Sequence, residues 1–103
     1  DLGWPTGALV SQGVHAATAV LRDHAEQEEV REFLAERSFQ MHVCTLAVKS
    51  EAELDKYANK LQEKGLHFHL WTEQPDNIKS ALATVPYARS ILKPLFKKLR
   101  LLA

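Results

Sequence analysis

Helical periodicity dominates the first part of the chain. Between Thr6 and His24, apolar residues recur at spacings of four, three and four: Val10, Val14, Ala17 and Leu21. This spacing places them in one stripe on an α-helix. A shorter stripe within residues 26–36 predicts a second helix and is formed by Val30, Phe33 and Leu34.

The clearest helix signal begins at Ser50. Ser50 and Glu53 form an S-x-x-E capping box, and an apolar face follows at i, i+3, i+4 and i+7: Leu54, Tyr57, Ala58 and Leu61. Gly65 is suited to the position just after the end of this helix. A final helix is predicted over residues 90–101, with Pro94 in its first turn because a deeper proline would break it.

Three segments have the composition of β-strands. Residues 39–48 are rich in β-branched and aromatic side chains, residues 66–71 alternate apolar residues with histidine and tryptophan, and residues 80–85 form a weaker strand. Residues 74–77, with the sequence QPDN, predict a turn between the last two strands. Cys44 falls in the middle of the first strand and is predicted to be a small buried side chain.

The resulting order is helix, helix, strand, helix, strand, strand, helix. Alternation of strands with helices predicts an α/β fold built around one sheet. We expect residues 39–73 to form a right-handed crossover between parallel strands. Three strands make a thin sheet, and a fourth strand upstream of Asp1 would complete it.

Length and composition indicate one globular domain. The chain has 103 residues, of which 46% are hydrophobic and 25% charged, and this fits a single domain over residues 1–103. No apolar run approaches the roughly 20 residues that cross a bilayer. The single cysteine excludes an intrachain disulfide framework. It is compatible with a reducing compartment, so we expect a cytoplasmic protein.

Charge is distributed unevenly, although the net charge is zero. Residues 1–40 carry 3 basic and 7 acidic groups, whereas residues 79–103 carry 6 basic groups and no acidic one. A basic end of this kind can meet the phosphates of a nucleic acid. It can equally be the solvated face of a terminal helix, and charge alone favours that second interpretation.

Several familiar catalytic motifs are absent. The chain contains no GxGxxG, Walker or GxSxG motif, which removes the main support for dinucleotide binding, P-loop nucleotide hydrolysis and an α/β-hydrolase. His67 and His69 share a strand face, but no third ligand follows at matching spacing. Strand histidines without a metal are therefore favoured over a metal site.

Two polar features remain as candidates for chemistry. Gln12 and His15 lie on one side of the first helix, where small residues permit close approach by a neighbouring element. Glu73 follows the second predicted strand, at the strand end where open α/β sheets bind ligands. The structural alternatives are a tightly packed helix with a hydrogen-bonded core histidine, and a solvated turn.

Two segments carry a resemblance to a known family. Residues 7–17, with the sequence GALVSQGVHAA, resemble the N-terminal signature of the type 2 peptidyl-tRNA hydrolase family, roughly G-K-x-A-A-Q-C-S-H-A. Residues 70–78, LWTEQPDNI, and the Trp4-Pro5 entry resemble its eukaryotic branch, the peptidyl-tRNA hydrolase domain-containing proteins. The resemblance covers nearly the whole chain. It implies a mixed, mostly parallel four-stranded sheet with helices on both faces, whose first strand would precede Asp1.

The resemblance also implies an activity and a set of site residues. The family hydrolyses the ester between a peptide and the 3′ ribose of tRNA, and no metal or organic cofactor is implied. Gln12 and His15 match the family motif. Glu73 stands at the position of the family's aspartate, and Asn77 stands at a threonine position. Ala8 occupies the position of the family's lysine, so a cation that would stabilise a developing oxyanion is missing there.

The favoured hypothesis is hydrolysis of peptidyl-tRNA, with four catalytic candidates: Glu73, His15, Gln12 and Asn77. Basic side chains would bind the tRNA phosphates: Lys79, Lys93, Lys97, Lys98 and Arg100. Because Ala8 replaces the lysine, the alternative is a catalytically weakened module that binds tRNA or a protein on the same fold. A small-molecule sensor rests on fold analogy alone. The expected partner is peptidyl-tRNA and not a membrane, and a homodimer is left open.

Overall fold

The computed structural model describes residues 4–35 and 43–102 of the chain. Within these ranges the helices and strands are, in chain order, α1 (Thr6–Asp23), α2 (Glu28–Leu34), α3 (Glu51–Glu63), β1 (Phe68–Glu73), β2 (Ile78–Thr84) and α4 (Arg89–Phe96). The periodicities and the capping signals therefore predicted the helices and the last two strands to within about two residues at each end, except that α4 ends five residues before its predicted end. No helix in the described ranges is both long and apolar enough to cross a membrane.

The strand predicted over residues 39–48 lies only partly within the described residues. Residues 39–42 fall outside them, and in residues 43–48 the structure shows an isolated antiparallel bridge between Leu46 and Leu101. Cys44 is exposed, so the prediction of a buried thiol is wrong. The described part of the segment pairs with Leu101 through one bridge and is not a strand of the hairpin sheet. Residues 43–45 are exposed, whereas residues 46–48 are half-buried.

β1 and β2 form an antiparallel hairpin across the turn at residues 74–77. Such a short turn can join only antiparallel strands, because a parallel pair needs a crossover connection. The described residues contain no parallel pair, and the expected crossover over residues 39–73 is not seen in them. The coarse prediction of an α/β fold is confirmed, whereas the mostly parallel four-stranded sheet is not.

A β-bulge decides which side chains of β2 face each helix. Ala81 pairs with Trp71, but Ser80 has no partner on β1. The next pair is Lys79 with Thr72, whereas a regular register would pair Lys79 with Glu73. Paired residues share a face of the sheet, so one inserted residue moves Lys79 away from the face that carries Glu73. The Ser80 side chain instead reaches α1.

Helices lie on both faces of the hairpin. Ser80 Oγ donates a hydrogen bond to Gln12 Oε1 of α1 at 2.7 Å. Lys79 Nζ donates to Asp55 Oδ1 of α3 at 2.8 Å on the other face. The hairpin is thus a thin layer with α1 on one side and α3 on the other.

The packed face of α1 is not its apolar stripe. Val10 and Val14 are 55% and 58% exposed, whereas Ala16, Ala19 and Val20 are buried. Small side chains on the buried face let the helix backbone approach the hairpin closely. Val20 also joins a fully buried cluster with two residues from other segments, Val30 and Val85.

The ends of α3 follow the sequence signals closely. Ser50 Oγ accepts a hydrogen bond from the Glu53 N–H at 3.2 Å, which is the N-terminal cap predicted from the S-x-x-E motif. Gly65 follows the helix with a φ of 70°, a conformation that favours glycine. The buried face is the predicted one: Leu54, Tyr57, Ala58 and Leu61.

Pro94 lies in the second turn of α4, so its prediction as a first-turn residue is wrong. The helix starts at Arg89 and ends at Phe96, which is shorter than the predicted 90–101. Proline lacks an N–H, and here that removes one bond to the carbonyl of Ser90, an exposed residue. A short surface helix tolerates this loss because it ends only two residues later.

Asp23 connects the end of α1 to β1. His69 Nδ1 lies 2.8 Å from Asp23 Oδ2, and Arg22 lies 3.0 Å from the other carboxylate oxygen. The hydrogen bond from His69, followed by that from Arg22, lowers the pKa of Asp23 below its ordinary value of 3.8. The ionised carboxylate is therefore stabilised by folding.

We expect Asp23→Asn to lower the free energy of unfolding at neutral pH, because the depressed pKa contributes stability only while the carboxylate is ionised. The difference from the unsubstituted chain should be complete above pH 3.8 and vanish as the pH falls through the lowered pKa. Urea unfolding at a series of pH values measures it. Asp76→Asn, at an exposed turn residue, is the matched control, and an equal loss in that variant would contradict the assignment.

Candidate active site

A buried glutamine links α1 to both strands of the hairpin. Gln12 is 5% exposed and is the one polar residue in the buried core of the described residues. Its Nε2 donates to Glu73 Oε2 at 2.7 Å, and its Oε1 accepts from Ser80 Oγ at 2.7 Å. Two of the four catalytic candidates, Gln12 and Glu73, are therefore in direct contact.

The chemistry of these groups determines the orientation of the amide. An ionised carboxylate can only accept hydrogen bonds, so the NH₂ of Gln12 must face Glu73 and its oxygen must face the hydroxyl of Ser80. A hydrogen bond to a charged acceptor is stronger than one between neutral groups. Gln12 thus holds Oε2 of Glu73 in place from the helix, and in the described part of the chain Oε1 has no hydrogen-bond partner.

Sequence reasoning did not select Ser80. The available signal was a hydroxyl residue beside an otherwise apolar run in a predicted strand, followed by Ala81 and Leu82. The face to which this hydroxyl points depends on the bulge, and a bulge has no reliable signature in one sequence. Only the register identified Ser80 as part of the site.

His15 and Trp71 form a ring stack beside the Gln12–Glu73 pair. Their ring centroids are 4.7 Å apart with an interplanar angle of 11°. His15 is exposed and Trp71 is half-buried, so the alternative of a core histidine is wrong. The indole N–H of Trp71 is buried, and none of the described residues accepts a hydrogen bond from it.

Asn77 lies in the exposed turn that follows Glu73. It has a φ of 58°, a left-handed conformation that asparagine tolerates better than most residues. Gln74 Nε2 donates to Asn77 Oδ1 at 3.4 Å, and the peptide bond between Gln74 and Pro75 is cis. Among the described residues Asn77 makes no hydrogen bond to Gln12 or Glu73, although the chain keeps it close to the latter.

Glu73 has no cationic partner in residues 4–35 and 43–102. Ala8 precedes Gln12 by one helical turn on α1 and carries no charge. Lys79, which could have supplied a cation, extends to the opposite face, where its hydrogen bond with Asp55 raises the pKa of Lys79. The bulge therefore separates the nearest lysine of β2 from the carboxylate.

The other predicted tRNA-binding residues lie on α4 and just after it. They are exposed: Lys93, Lys97, Lys98 and Arg100. α4 packs against α3, with the rings of Tyr57 and Phe96 5.5 Å apart. This basic segment is thus attached to the face of the hairpin opposite α1, and it does not contribute to the Gln12–Glu73 pair.

The histidines do not gather into a metal centre within the described residues, which contain no group of three or more metal-ligating side chains. His69 is bonded to Asp23. The ring of His67 lies 4.8 Å from that of His24, and Gln27 bonds to His24 Nδ1 at 2.9 Å. His42 lies outside the described residues.

Comparison with known proteins identifies the family of the chain. The profile of the family "Peptidyl-tRNA hydrolase PTH2" matches residues 1–102. The chain belongs to this family, which confirms the resemblance carried by residues 7–17 and 70–78.

Two curated relatives are similar over most of the chain. The mouse protein named "Putative peptidyl-tRNA hydrolase PTRHD1" is 40% identical over 98 residues, covering 95% of this chain and 69% of that protein. The human protein of the same name is 39% identical over the same shares. No solved structure matches the chain with statistical significance.

We expect Gln12→Glu to destabilise the fold, because it places a second carboxylate next to that of Glu73. Residue 12 is only 5% exposed, so water cannot screen the repulsion. One of the pair must then keep a proton in the folded state. The free energy of unfolding of this variant should fall as the pH rises, with a loss of about 1–3 kcal/mol near pH 7. Chemical unfolding at pH 4 and pH 7 measures the difference.

The double variant Gln12→Glu/Glu73→Gln provides the control for that measurement. It restores one amide and one carboxylate, and Ser80 can still donate to residue 12. Stability near pH 7 should return in large part. A double variant that is less stable than either single variant would contradict the hydrogen-bonded pair.

Proposed function

We propose that the chain hydrolyses the ester between the 3′ ribose of tRNA and a peptide or N-blocked aminoacyl group. The observation that carries this proposal is the 2.7 Å hydrogen bond from buried Gln12 to Glu73, at the two positions where the family motif has glutamine and a carboxylate. Membership of the family supports the substrate class. The site needs no further chain element to bring its carboxylate and its amide together.

Glu73 is the proposed acceptor of the proton. Water approaches Oε1, the oxygen that Gln12 does not hold, and gives up a proton to it while the water oxygen attacks the ester carbonyl carbon. The tetrahedral intermediate then expels the 3′ oxygen of the ribose, which takes the proton back. The products are a peptide carboxylic acid, which ionises and releases one proton to solvent, and a tRNA with a free 3′ hydroxyl, so one water is consumed for each ester cleaved.

Gln12 and Ser80 act on this reaction through Glu73. A carboxylate fixed at one oxygen presents the other in a defined direction, which is how positioning contributes to the rate. Asn77, in the turn after Glu73, is the proposed amide donor to the ester carbonyl. The donor role of Asn77 gives the turn after β1 a part in the reaction, and this role is a prediction.

The proposed tRNA contacts are electrostatic. The basic segment on and after α4 would meet backbone phosphates (Lys93, Lys97, Lys98 and Arg100), with Lys79 on the α3 face of the hairpin. These residues are attached to the opposite face from Gln12, so the nucleic acid would pass around an edge of the sheet. Such contacts weaken with salt because bound counterions are released on association.

We expect Glu73→Gln to lower kcat for release of labelled peptide from peptidyl-tRNA by about 10²- to 10⁴-fold, the usual contribution of a general base. The amide keeps the shape of the side chain but cannot take the proton. KM should change little in this variant, whereas for the unsubstituted chain it should rise with salt. Glu63→Gln, at an exposed residue on α3, is the matched control. Unchanged kcat in Glu73→Gln would exclude the proposed mechanism.

We expect Ala8→Lys to raise kcat, because an ammonium group one helical turn before Gln12 would stabilise the developing oxyanion. Removing a comparable donor costs about 10²–10³ in rate, so the gain should exceed tenfold. The control is Ala17→Lys, which adds the same charge at an exposed position of α1. Equal gains in both variants would indicate a general electrostatic effect on tRNA binding and would contradict a local role.

A further inference from the structure

The sequence makes His15 a catalytic candidate, but the steps proposed for the ester assign no proton transfer to it. Its stack with Trp71 lies beside the Gln12–Glu73 pair. His15 follows Gln12 by three residues on α1, which is about 4.5 Å along a helix axis. Trp71 precedes Glu73 by two residues on β1, which is about 6.7 Å along a strand. The offset of His15 from Gln12 along α1 is therefore similar in length to the offset of Trp71 from Glu73 along β1, and the two offsets have a consistent direction.

The stack presents an open aromatic face. Trp71 is half-buried and covers one side of the His15 ring at an interplanar angle of 11°. The ring of His69 lies 6.0 Å from that of Trp71, tilted by 37°. His15 itself is exposed, and Trp71 is the one ring that stacks on it among the described residues. A flat ring supported from below and open above is the arrangement on which a nucleobase stacks.

We propose that the exposed face of His15 binds the 3′-terminal adenine base of the substrate by stacking. This inference rests on the proposed function, because the base of the terminal nucleotide and its esterified 3′ oxygen are separated only by the ribose ring. With the ester at Glu73, the base of the same nucleoside lies within reach of His15.

The exposed face of His15 on the His15–Trp71 stack, here called the platform, suits the adenine base better than a peptide side chain. Peptide side chains differ from one substrate to the next, whereas the terminal adenosine of tRNA is constant. A hydrolase that acts on varied peptides gains from placing its binding contacts on the constant part, since such contacts orient the reacting ester. The platform also lies on the α1 face, away from the basic segment on α4 that would hold phosphates.

The test compares two short substrates in the full chain. Both are CCA oligonucleotides that carry an N-acetyl-aminoacyl ester at the 3′ end, and one lacks the terminal adenine base but keeps the ribose. For the intact substrate, His15→Ala should lower kcat/KM by about 5- to 100-fold, the effect of losing one base–aromatic stack. His15→Phe keeps a flat ring and should retain most of the activity.

The substrate without the base separates stacking from a general role of His15. The unsubstituted chain should lose the same factor on this substrate, and His15→Ala should cause no further loss there. If His15→Ala lowers kcat/KM equally on both substrates, the stacking proposal is overturned while the proposed function stands. Unchanged kcat/KM of His15→Ala on the intact substrate also overturns it.

If the chain shows no hydrolytic activity, a binding measurement tests the stacking proposal instead. The probe is the same oligonucleotide with the ester replaced by a 3′-amide, which is not cleaved by this chemistry, with and without the terminal base. Binding that needs both the base and the ring at residue 15 supports the platform even where hydrolysis fails. Absence of base-dependent binding to the unsubstituted chain overturns the platform, whatever the result for hydrolysis.

Discussion

The hydrogen bond between Gln12 and Glu73 is the contact on which the site depends. A buried amide must have both its donor and its acceptor satisfied, and here its two partners come from β1 and from β2. The requirement therefore sets the depth and rotation of α1 against the hairpin as well as the direction of the carboxylate. Structure and chemistry share one constraint, because the group that satisfies the buried amide is also the proposed proton acceptor.

The bulge at Ser80 controls the electrostatics around that contact. If Ser80 were paired with Thr72 in a regular register, Lys79 would lie opposite Glu73 and could pair with it across the hairpin. With the insertion, a neutral hydroxyl faces Gln12, and the ammonium group pairs with Asp55 on the other face. Together with Ala8 on α1, this leaves the carboxylate bonded to an amide and not to a cation. Such an arrangement positions Glu73 without neutralising it.

The small buried face of α1 explains why a helix with polar residues can lie this close to the sheet. Ala16 and Ala19 bring the backbone near the hairpin, and the polar contacts then follow the odd-numbered positions of β1 in register: Glu73 with Gln12, Trp71 with His15, and His69 with Asp23. The Gln12–Glu73 hydrogen bond, the ring stack and the His69–Asp23 hydrogen bond are thus successive contacts of one interface. The valines of the outer stripe take no part in it.

The sequence by itself determined the helices, the turn after Glu73, the family and the identity of two partners at the site, because periodicity, capping residues and short motifs are local signals. It also selected the amide and the carboxylate as site candidates, because both stand at positions of the family's motifs. The tertiary structure decided that the small face of α1 is buried and its valines are not, that Cys44 is exposed, and that Ser80 rather than Lys79 joins Gln12. Each of these depends on register or on which faces meet, and those are properties of pairs of elements that no single segment encodes.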